Sequence, residues 1–290
     1  MKLKVKKVIL LEELNKVSKA LSSKNIIPVL SGICFDAKDN QLILTASDND
    51  ITIQTHLNED NENLEIKEEG SIVIQGKYIL DIVRKLPDEY INIEIIDDSK
   101  VSIYTENSEF NLNGINKKEY PTIHLEESKN KVKLSRDLFN EIINQTCFAA
   151  STDESKPSLT GINFNITGDL LECNSTDSYR LSRKIVNLSD NKESFNLIIP
   201  SKNLLEFSKI LTEDVDIEIN IFNNKLLFKY NNLLFQTRLI SGTYPNTSNL
   251  IPEDPILKVN VDKDLFYNTI DRTSILSTDK EKNYYFRDRR

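Results

Sequence analysis

The sequence predicts an α+β fold built from repeated domains, each with two helices packed on antiparallel sheets. Three observations carry this expectation. First, three segments open with a short alternating strand and continue as an amphipathic helix: LKVKKVILLEELNKVSKALSS from Leu3, VKLSRDLFNEIINQTCFAAS from Val132 and VNVDKDLFYNTIDRTSILS from Val259. Leu138-Phe139 and Leu265-Phe266 stand 127 residues apart. Second, the first two copies stay in register beyond the helix: SGICFDAKDNQLILTASD matches TGINFNITGDLLECNSTD, with Gly32 to Gly161 and Asp48 to Asp177 both offset by 129. Lys77 to Lys202 (offset 125) and Pro121 to Pro245 (offset 124) extend the match. Third, period-two stretches at Gln41–Thr45, Ile91–Ile96, Val101–Tyr104, Ile217–Ile221 and Leu226–Tyr230 mostly follow one another without crossover helices, which calls for antiparallel pairing.

Taken along the chain, helices are expected near 8–22, 76–86, 135–151, 201–211 and 262–277. Leu11, Leu14, Val17 and Leu21 give the first an apolar stripe. The repeat arithmetic divides the chain into 1–127, 128–253 and the opening of a third copy at 254–290. A complete third copy would extend to roughly residue 380 by the same period. The expectation is therefore a C-terminally truncated third repeat, with a helix that lacks a sheet to cover.

Composition fits a folded chain: of 290 residues, 39% are hydrophobic and 28% carry mixed charges. The net charge of −8 argues against a simple nucleic-acid binder, but its distribution is uneven. The four helical segments of the first two repeats hold ten basic and six acidic residues, a net +4 against −12 elsewhere. That is either one basic face on an acidic body, or lysine serving as a good helix former.

Sequence signals for catalysis are absent. His56 and His124 have no metal or triad spacing, and there is no glycine-rich phosphate loop. Asp97-Asp98 and Glu126-Glu127 read as turns and solvated edges. Asp48 and Asp177 recur at equivalent places, which favours a structural turn role. Cys34, Cys147 and Cys173 are far apart, as packing thiols of a reducing compartment would be. Glu12 and Glu13 interrupt any signal-peptide core, and no apolar run approaches the roughly 20 residues of a membrane span. No catalytic residue, metal or cofactor is expected, and the location expected is cytoplasmic.

Several motifs resemble one family. IPVLSGICFDAKDNQLILTASDNDI is similar to the first-domain hallmark of bacterial DNA polymerase III beta subunits, the sliding clamps. SKPSLTGINF with STDSYRLSR resembles the second-domain hallmark, LISGTYPNTSNLIP the linker to the third domain, and DRTSILSTDKEKN that domain's opening. The resemblance implies the DNA-clamp fold and a non-catalytic processivity factor. In the family, a head-to-tail dimer closes around duplex DNA and tethers the polymerase. Implied partners are double-stranded DNA without sequence preference, the polymerase catalytic subunit, the clamp loader, repair polymerases, mismatch-repair proteins and a second copy of the chain. The alternative is a clamp-like interaction module that binds clamp partners or loader without closing a ring.

The same resemblance implies site residues. Lys24, Lys77, Lys156 and Lys202 would face DNA. Leu159, Thr176, Ser178, Tyr179, Arg180, Leu181, Pro245, Asn249 and Leu250 would form one wall of a partner-peptide pocket, with Asn249 standing where the family usually has a basic residue. Ile275 and Leu276 would belong to the subunit interface.

Overall fold

The computed structural model describes residues 1–22, 27–60, 62–97, 99–188, 194–251 and 257–275. It divides into two units, Met1–Pro245 and Asn246–Arg290. The first unit contains both complete repeats. Repeat one comprises β1 (Lys2–Lys6), α1 (Lys7–Val17), β2 (Gly32–Lys38), β3 (Gln41–Ser47), β4 (Ile51–Asn58), β5 (Leu64–Glu68), β6 (Gly70–Gln75), α2 (Gly76–Lys85), β7 (Tyr90–Asp97), β8 (Lys100–Tyr104) and β9 (Glu109–Asn113). Repeat two comprises β10 (Lys131–Ser135), α3 (Arg136–Thr146), β11 (Gly161–Thr167), β12 (Leu170–Thr176), β13 (Leu181–Asn187), β14 (Ser194–Pro200), α4 (Ser201–Ser208), β15 (Asp216–Ile221), β16 (Lys225–Tyr230) and β17 (Leu233–Arg238). In the second unit, α5 spans Lys263–Ser274.

Every strand pair is antiparallel, in sheets ordered β5-β1-β7-β8-β9, β10-β15-β16-β17-β4-β3-β2-β6 and β13-β12-β11-β14. The eight-stranded sheet crosses the repeat boundary. β17 lies against β4, with Phe235 opposite Ile53 and Thr237 opposite Ile51. The seam is extended by His56 N–H to Asn232 O (3.0 Å) and Arg238 N–H to Asp50 O (3.0 Å).

Period two explains which side chains go inward. In β1, Leu3 and Val5 are buried between lysines; in β10, Val132 and Leu134 alternate with Lys131, Lys133 and Ser135 in the same way. The helices lie over these faces, α1 against α2 and α3 against α4. Leu10, Leu14, Val17, Ile79 and Val83 fill repeat one. Repeat two uses an aromatic cluster of Phe139, Phe207, Phe228 and Phe235, with Phe207 4.7 Å from Phe228 and 5.4 Å from Phe139. Burying each such ring contributes about 1.5–3 kcal/mol. Buried residues of both repeats form one connected core.

The helices end earlier than their apolar periodicity suggests. α1 and α3 tighten into single 3-10 turns, Ser18–Ala20 and Cys147–Ala149, before the chain turns extended at Leu21 and Ala150. In α3 the strands supply the reason. Ser175 Oγ donates to Thr146 O (2.5 Å), and Ser182 Oγ donates to Gln145 O. These hydroxyls take carbonyls that a longer helix would have used. α4 stops at Ser208, short of 211, while α5 spans Lys263–Ser274 and its expected end at 277 lies outside the described residues.

The segment joining the repeats is fastened to the second sheet. Glu127 bridges Lys131 and Lys229 at 2.6 Å each, and Lys131 also reaches Glu218 at 3.0 Å. Ser128 donates from its backbone to Asn220 and from its hydroxyl to Ile221 O. Glu127, exposed in a loop as expected, is thus also a fastener. The two lysines hold its carboxyl down to about 2, from an ordinary 4.5. A depressed carboxylate contributes stability that is complete above its unfolded value and lost as pH falls through its folded one. Glu127→Gln is therefore expected to lower the melting temperature at pH 7, with the gap to the parent chain closing between pH 4.5 and about 2. Thermal melts followed by circular dichroism across that range check this; a gap independent of pH contradicts it.

Candidate nucleic-acid and partner-peptide surfaces

The helix lysines and arginines differ in what they meet. Lys16 is shared between Glu12 (2.8 Å) and Glu13 (2.9 Å). Arg136 lies between Asp137 (2.8 Å) and Asp214 (3.6 Å), and Lys209 sits on Glu206 (2.7 Å). Arg84 is 3.9 Å from Asp81. By contrast, Lys19, Lys77, Lys85 and Lys202 are exposed and make no ion pair among the described residues. Lys156, in the loop before the 3-10 turn Pro157–Thr160, is likewise exposed and unpaired among them. Lys24 lies outside the described residues.

Lys77 and Lys202 occupy the same place in their repeats, the first turn of α2 and of α4. Neither helix has an acidic residue in that turn or a side-chain cap. A cation beside the positive end of a helix is unfavourable by about 0.3–1 kcal/mol, while the same end attracts anions. Both repeats therefore keep an arrangement that stability alone does not favour, and that suits phosphate.

The second surface is built around the turn from β12 to β13. Asp177 accepts the backbone N–H of Tyr179 and of Arg180 at Oδ1 (3.0 Å each), and Arg180 Nε at Oδ2 (2.9 Å). These donors hold its carboxyl below the ordinary aspartate value despite the opposing effect of burial. Thr176 Oγ1 donates to Arg180 O (2.6 Å) and accepts from Ser178 N (3.1 Å). Repeat one has the same device: Asp48 accepts from Asp50 N (3.0 Å) and Ile51 N (2.9 Å), and Ser47 Oγ donates to Ile51 O (3.0 Å). Asn49 and Ser178 both take the left-handed conformation, φ 76° and 79°. The turn role expected of Asp48 and Asp177 is thereby given a geometry.

Within this turn Tyr179 is 83% exposed, Arg180 is exposed and Leu181 half-buried. The Arg180 guanidinium lies 5.8 Å from the Phe148 ring centre. Behind the turn, Leu159 packs with Ile198 and Tyr244 in a small satellite core, with Ile240 beside it. Burial pushes the Tyr244 phenol up to about 12. Pro245 follows, exposed. Leu30, Val73 and Tyr120 make the matching satellite in repeat one. Asn249 and Leu250, the latter 62% exposed, belong to the second unit, as does Ile275 at 77% exposure. Leu276 lies outside the described residues.

His56 is a half-buried member of β4. Its ring nitrogens contact Gln54 (3.0 Å) and Gln41 (3.3 Å). Burial lowers its pKa, with Lys38 adding to the effect. Among the described residues no cluster of side chains could hold a metal ion. No helix among them is long and apolar enough to cross a membrane.

Comparison with known proteins matches this architecture. The family model described as "DNA polymerase III beta subunit, N-terminal domain" covers residues 1–124, and that of the "central domain" covers 133–246. The beta sliding clamp of Halalkalibacterium halodurans is 41% identical over 276 residues, spanning 93% of this chain and 73% of that one. The crystal structure of the Bacillus subtilis DNA polymerase sliding clamp superposes with a TM-score of 0.93 at 38% identity, over 98% of this chain and 76% of that one. A sliding clamp from Bartonella birtlesii bound to griselimycin gives 0.85 at 28% identity, over 97% and 76%. The chain belongs to the family of DNA polymerase III beta subunits, the sliding clamps that serve as processivity factors of the replicative polymerase.

Proposed function

We propose that this chain holds duplex DNA through sequence-blind phosphate contacts from Lys24, Lys77, Lys156 and Lys202, and captures partner peptides beside the Thr176–Leu181 turn. The observation that supports the DNA reading most is the repeated, unpaired lysine in the first turns of α2 and α4. Such contacts are few and individually weak, so a ring can move along the duplex while staying linked to it. Of the other helix cations, Lys16, Arg136 and Lys209 are engaged by carboxylates, which limits the grip.

For the peptide reading, Leu159, Thr176, Ser178, Tyr179, Arg180, Leu181 and Pro245 supply apolar surface, an exposed aromatic and one guanidinium. Asn249 and Leu250, expected at the same wall, belong to the second unit. That combination suits a short segment with aliphatic and aromatic anchors. The griselimycin complex of the Bartonella birtlesii clamp is a precedent for ligand binding in the family. The partners proposed are the polymerase catalytic subunit, the clamp loader, repair polymerases and mismatch-repair proteins, in the cytoplasm. The chain itself would be non-catalytic, with domain boundaries near 127 and 253.

The seam between the repeats supports a reading of how the chain assembles. β17 of one repeat seats on β4 of the repeat before it. By the same rule, β13 would receive the last strand of a following repeat, and β9 would seat on the corresponding edge of another subunit. Ile275 and Leu276 would lie at that subunit contact, giving a head-to-tail dimer.

Two outcomes test these readings. The Lys77→Ala/Lys202→Ala chain is expected to bind linear duplex DNA more weakly, to the same degree on unrelated sequences, with the slope of log K against log salt reduced by about 2. Fluorescence anisotropy over a salt series measures this; an unchanged slope, or a preference for one duplex, removes the assignment. Leu181→Ala is expected to weaken a labelled peptide bearing leucine and phenylalanine anchors about tenfold. Equal affinity of variant and parent in calorimetry would show that the wall lies elsewhere.

A further inference from the structure

The loop that closes each repeat is built differently in the two copies. In repeat one, Val73 N–H donates to Ile115 O and Ile115 N–H to Val73 O, at 2.9 Å each. The chain then makes the 3-10 turn Lys117–Glu119, capped by the Asn116 side chain, and Lys117 forms an ion pair with Asp36 of β2. Repeat two starts alike: at an offset of 125, Ile240 N–H donates to Ile198 O at 2.9 Å. From there the copies part. Ser241, Gly242 and Thr243 stand between Ile240 and Tyr244, where repeat one has the four residues 116–119 between Ile115 and Tyr120. The lysine and its partner are both gone, since Asn165 holds the place of Asp36 at the offset of 129. Gly242, at φ 116°, would have nothing within 4 Å of an added Cβ.

The result is a cleft of about 440 Å³, lined by Asn196 and Ile198 of β14, by Asn223 and Asn224 from the turn between β15 and β16, and by Ser241 and Thr243. That volume is within the range of specific ligand sites. No charged side chain lines it, and neither does any residue of the turn at 176–181. Asn196 Oδ1 accepts from Asn163 Nδ2 (2.5 Å), which leaves the Asn196 Nδ2 without a partner among the described residues. The side chains of Asn223, Asn224, Ser241 and Thr243 are exposed and likewise unpartnered among them. The backbone adds to this. β14 is the edge strand of its sheet. Alternate residues of an antiparallel strand turn both backbone groups to the same side. Ile198 turns its own away from β11, as the bond from Ile240 shows, so Asn196 does the same. The return bond that repeat one makes, from the strand N–H to the loop carbonyl, is not made by Ile198. One wall of the cleft thus offers the N–H of Ile198 and both backbone groups of Asn196 at strand spacing.

We propose that this cleft is a second binding site of the chain, and that it takes a short, extended, uncharged peptide segment as an added strand on β14 at Asn196 and Ile198. Main-chain bonds to an open strand edge supply the affinity in such an arrangement, and the side chains around it supply the selection. Here the selection is for amide and hydroxyl groups. A charged side chain would give up hydration in the cleft and meet no opposite charge there. A saccharide could use the amides and hydroxyls, but it does not match donors and acceptors that alternate at strand spacing. Repeat one shows what excludes such a guest: its loop completes the bridge to Val73 itself, and Lys117 ties that loop to β2. The proposal does not depend on the surface around the turn at 176–181.

The test uses the full chain, isotope-labelled for NMR, and the peptide acetyl-Ser-Asn-Val-Asn-Ser-amide. Its addition is expected to move the amide resonances of Asn196, Ile198, Ser241 and Thr243 together and saturably, leaving those of Tyr179 and Leu181 in place. Among peptides N-methylated at one position, at least one is expected to bind about two- to tenfold more weakly, as the loss of a single strand hydrogen bond requires. A peptide with aspartate at both asparagine positions is expected to bind more weakly than the parent peptide. Ser241→Tyr and Thr243→Tyr, each at an exposed position, are expected to fill the cleft and abolish the shifts without changing the melting temperature. The proposal is overturned by the absence of saturable shifts at several millimolar peptide, or by shifts that survive both tyrosine substitutions. Equal binding of every N-methylated peptide, or undiminished binding of the aspartate peptide, overturns it as well. Maltotriose moving the same resonances where the peptide does not would make the cleft a saccharide site instead.

Discussion

The hydrogen-bonded seam between β4 and β17 is the constraint on which the first unit depends. It turns two sheets into one eight-stranded sheet and lets the buried side chains of both repeats form a connected core. Backbone pairing is obligatory for buried polar groups, so the seam satisfies two edges that would otherwise lie open. It also brings Asn232 onto the backbone of His56, and Arg238 onto that of Asp50. The fastening of Glu127 and Ser128 keeps the connecting segment compatible with that pairing.

Much of this architecture was legible in the sequence, because the repeat places equivalent residues under equivalent demands. Gly32 and Gly161 illustrate it: an added Cβ would lie 2.5 Å from Val73 and 2.6 Å from Ile198. Neither neighbour can give way easily, so both copies keep the smallest residue. Asp48 and Asp177 were readable for a related reason, since an Asx-type turn needs a short acceptor at one fixed place. The alternating strands and the helix stripes followed from periodicity, and the helix starts were placed to within a residue or so.

What was not legible depends on partners distant in sequence. Nothing within ITIQTHLN or LLFQTR states that these two edges meet. Charge counting gave the helices a net positive total but not which cations were already paired. Lys16 and Arg136 count as fully as Lys77, yet carboxylates hold them. Glu127 looked like one member of an acidic loop, because its two lysines lie on β10 and β16. For the candidate site, the turn residues were identified by resemblance, while Phe148 was not.

The open edges β9 and β13 differ in character. β13 carries Arg183, exposed, whereas β9 begins with the exposed Glu109. Directly opposed like charges oppose strand pairing, and opposite charges favour it. A strand that sets a carboxylate opposite Arg183 therefore seats more readily on β13 than one that sets a lysine or arginine there, and the reverse holds for β9 beside Glu109. The two edges thus select by charge what can add to them, before shape complementarity is tested.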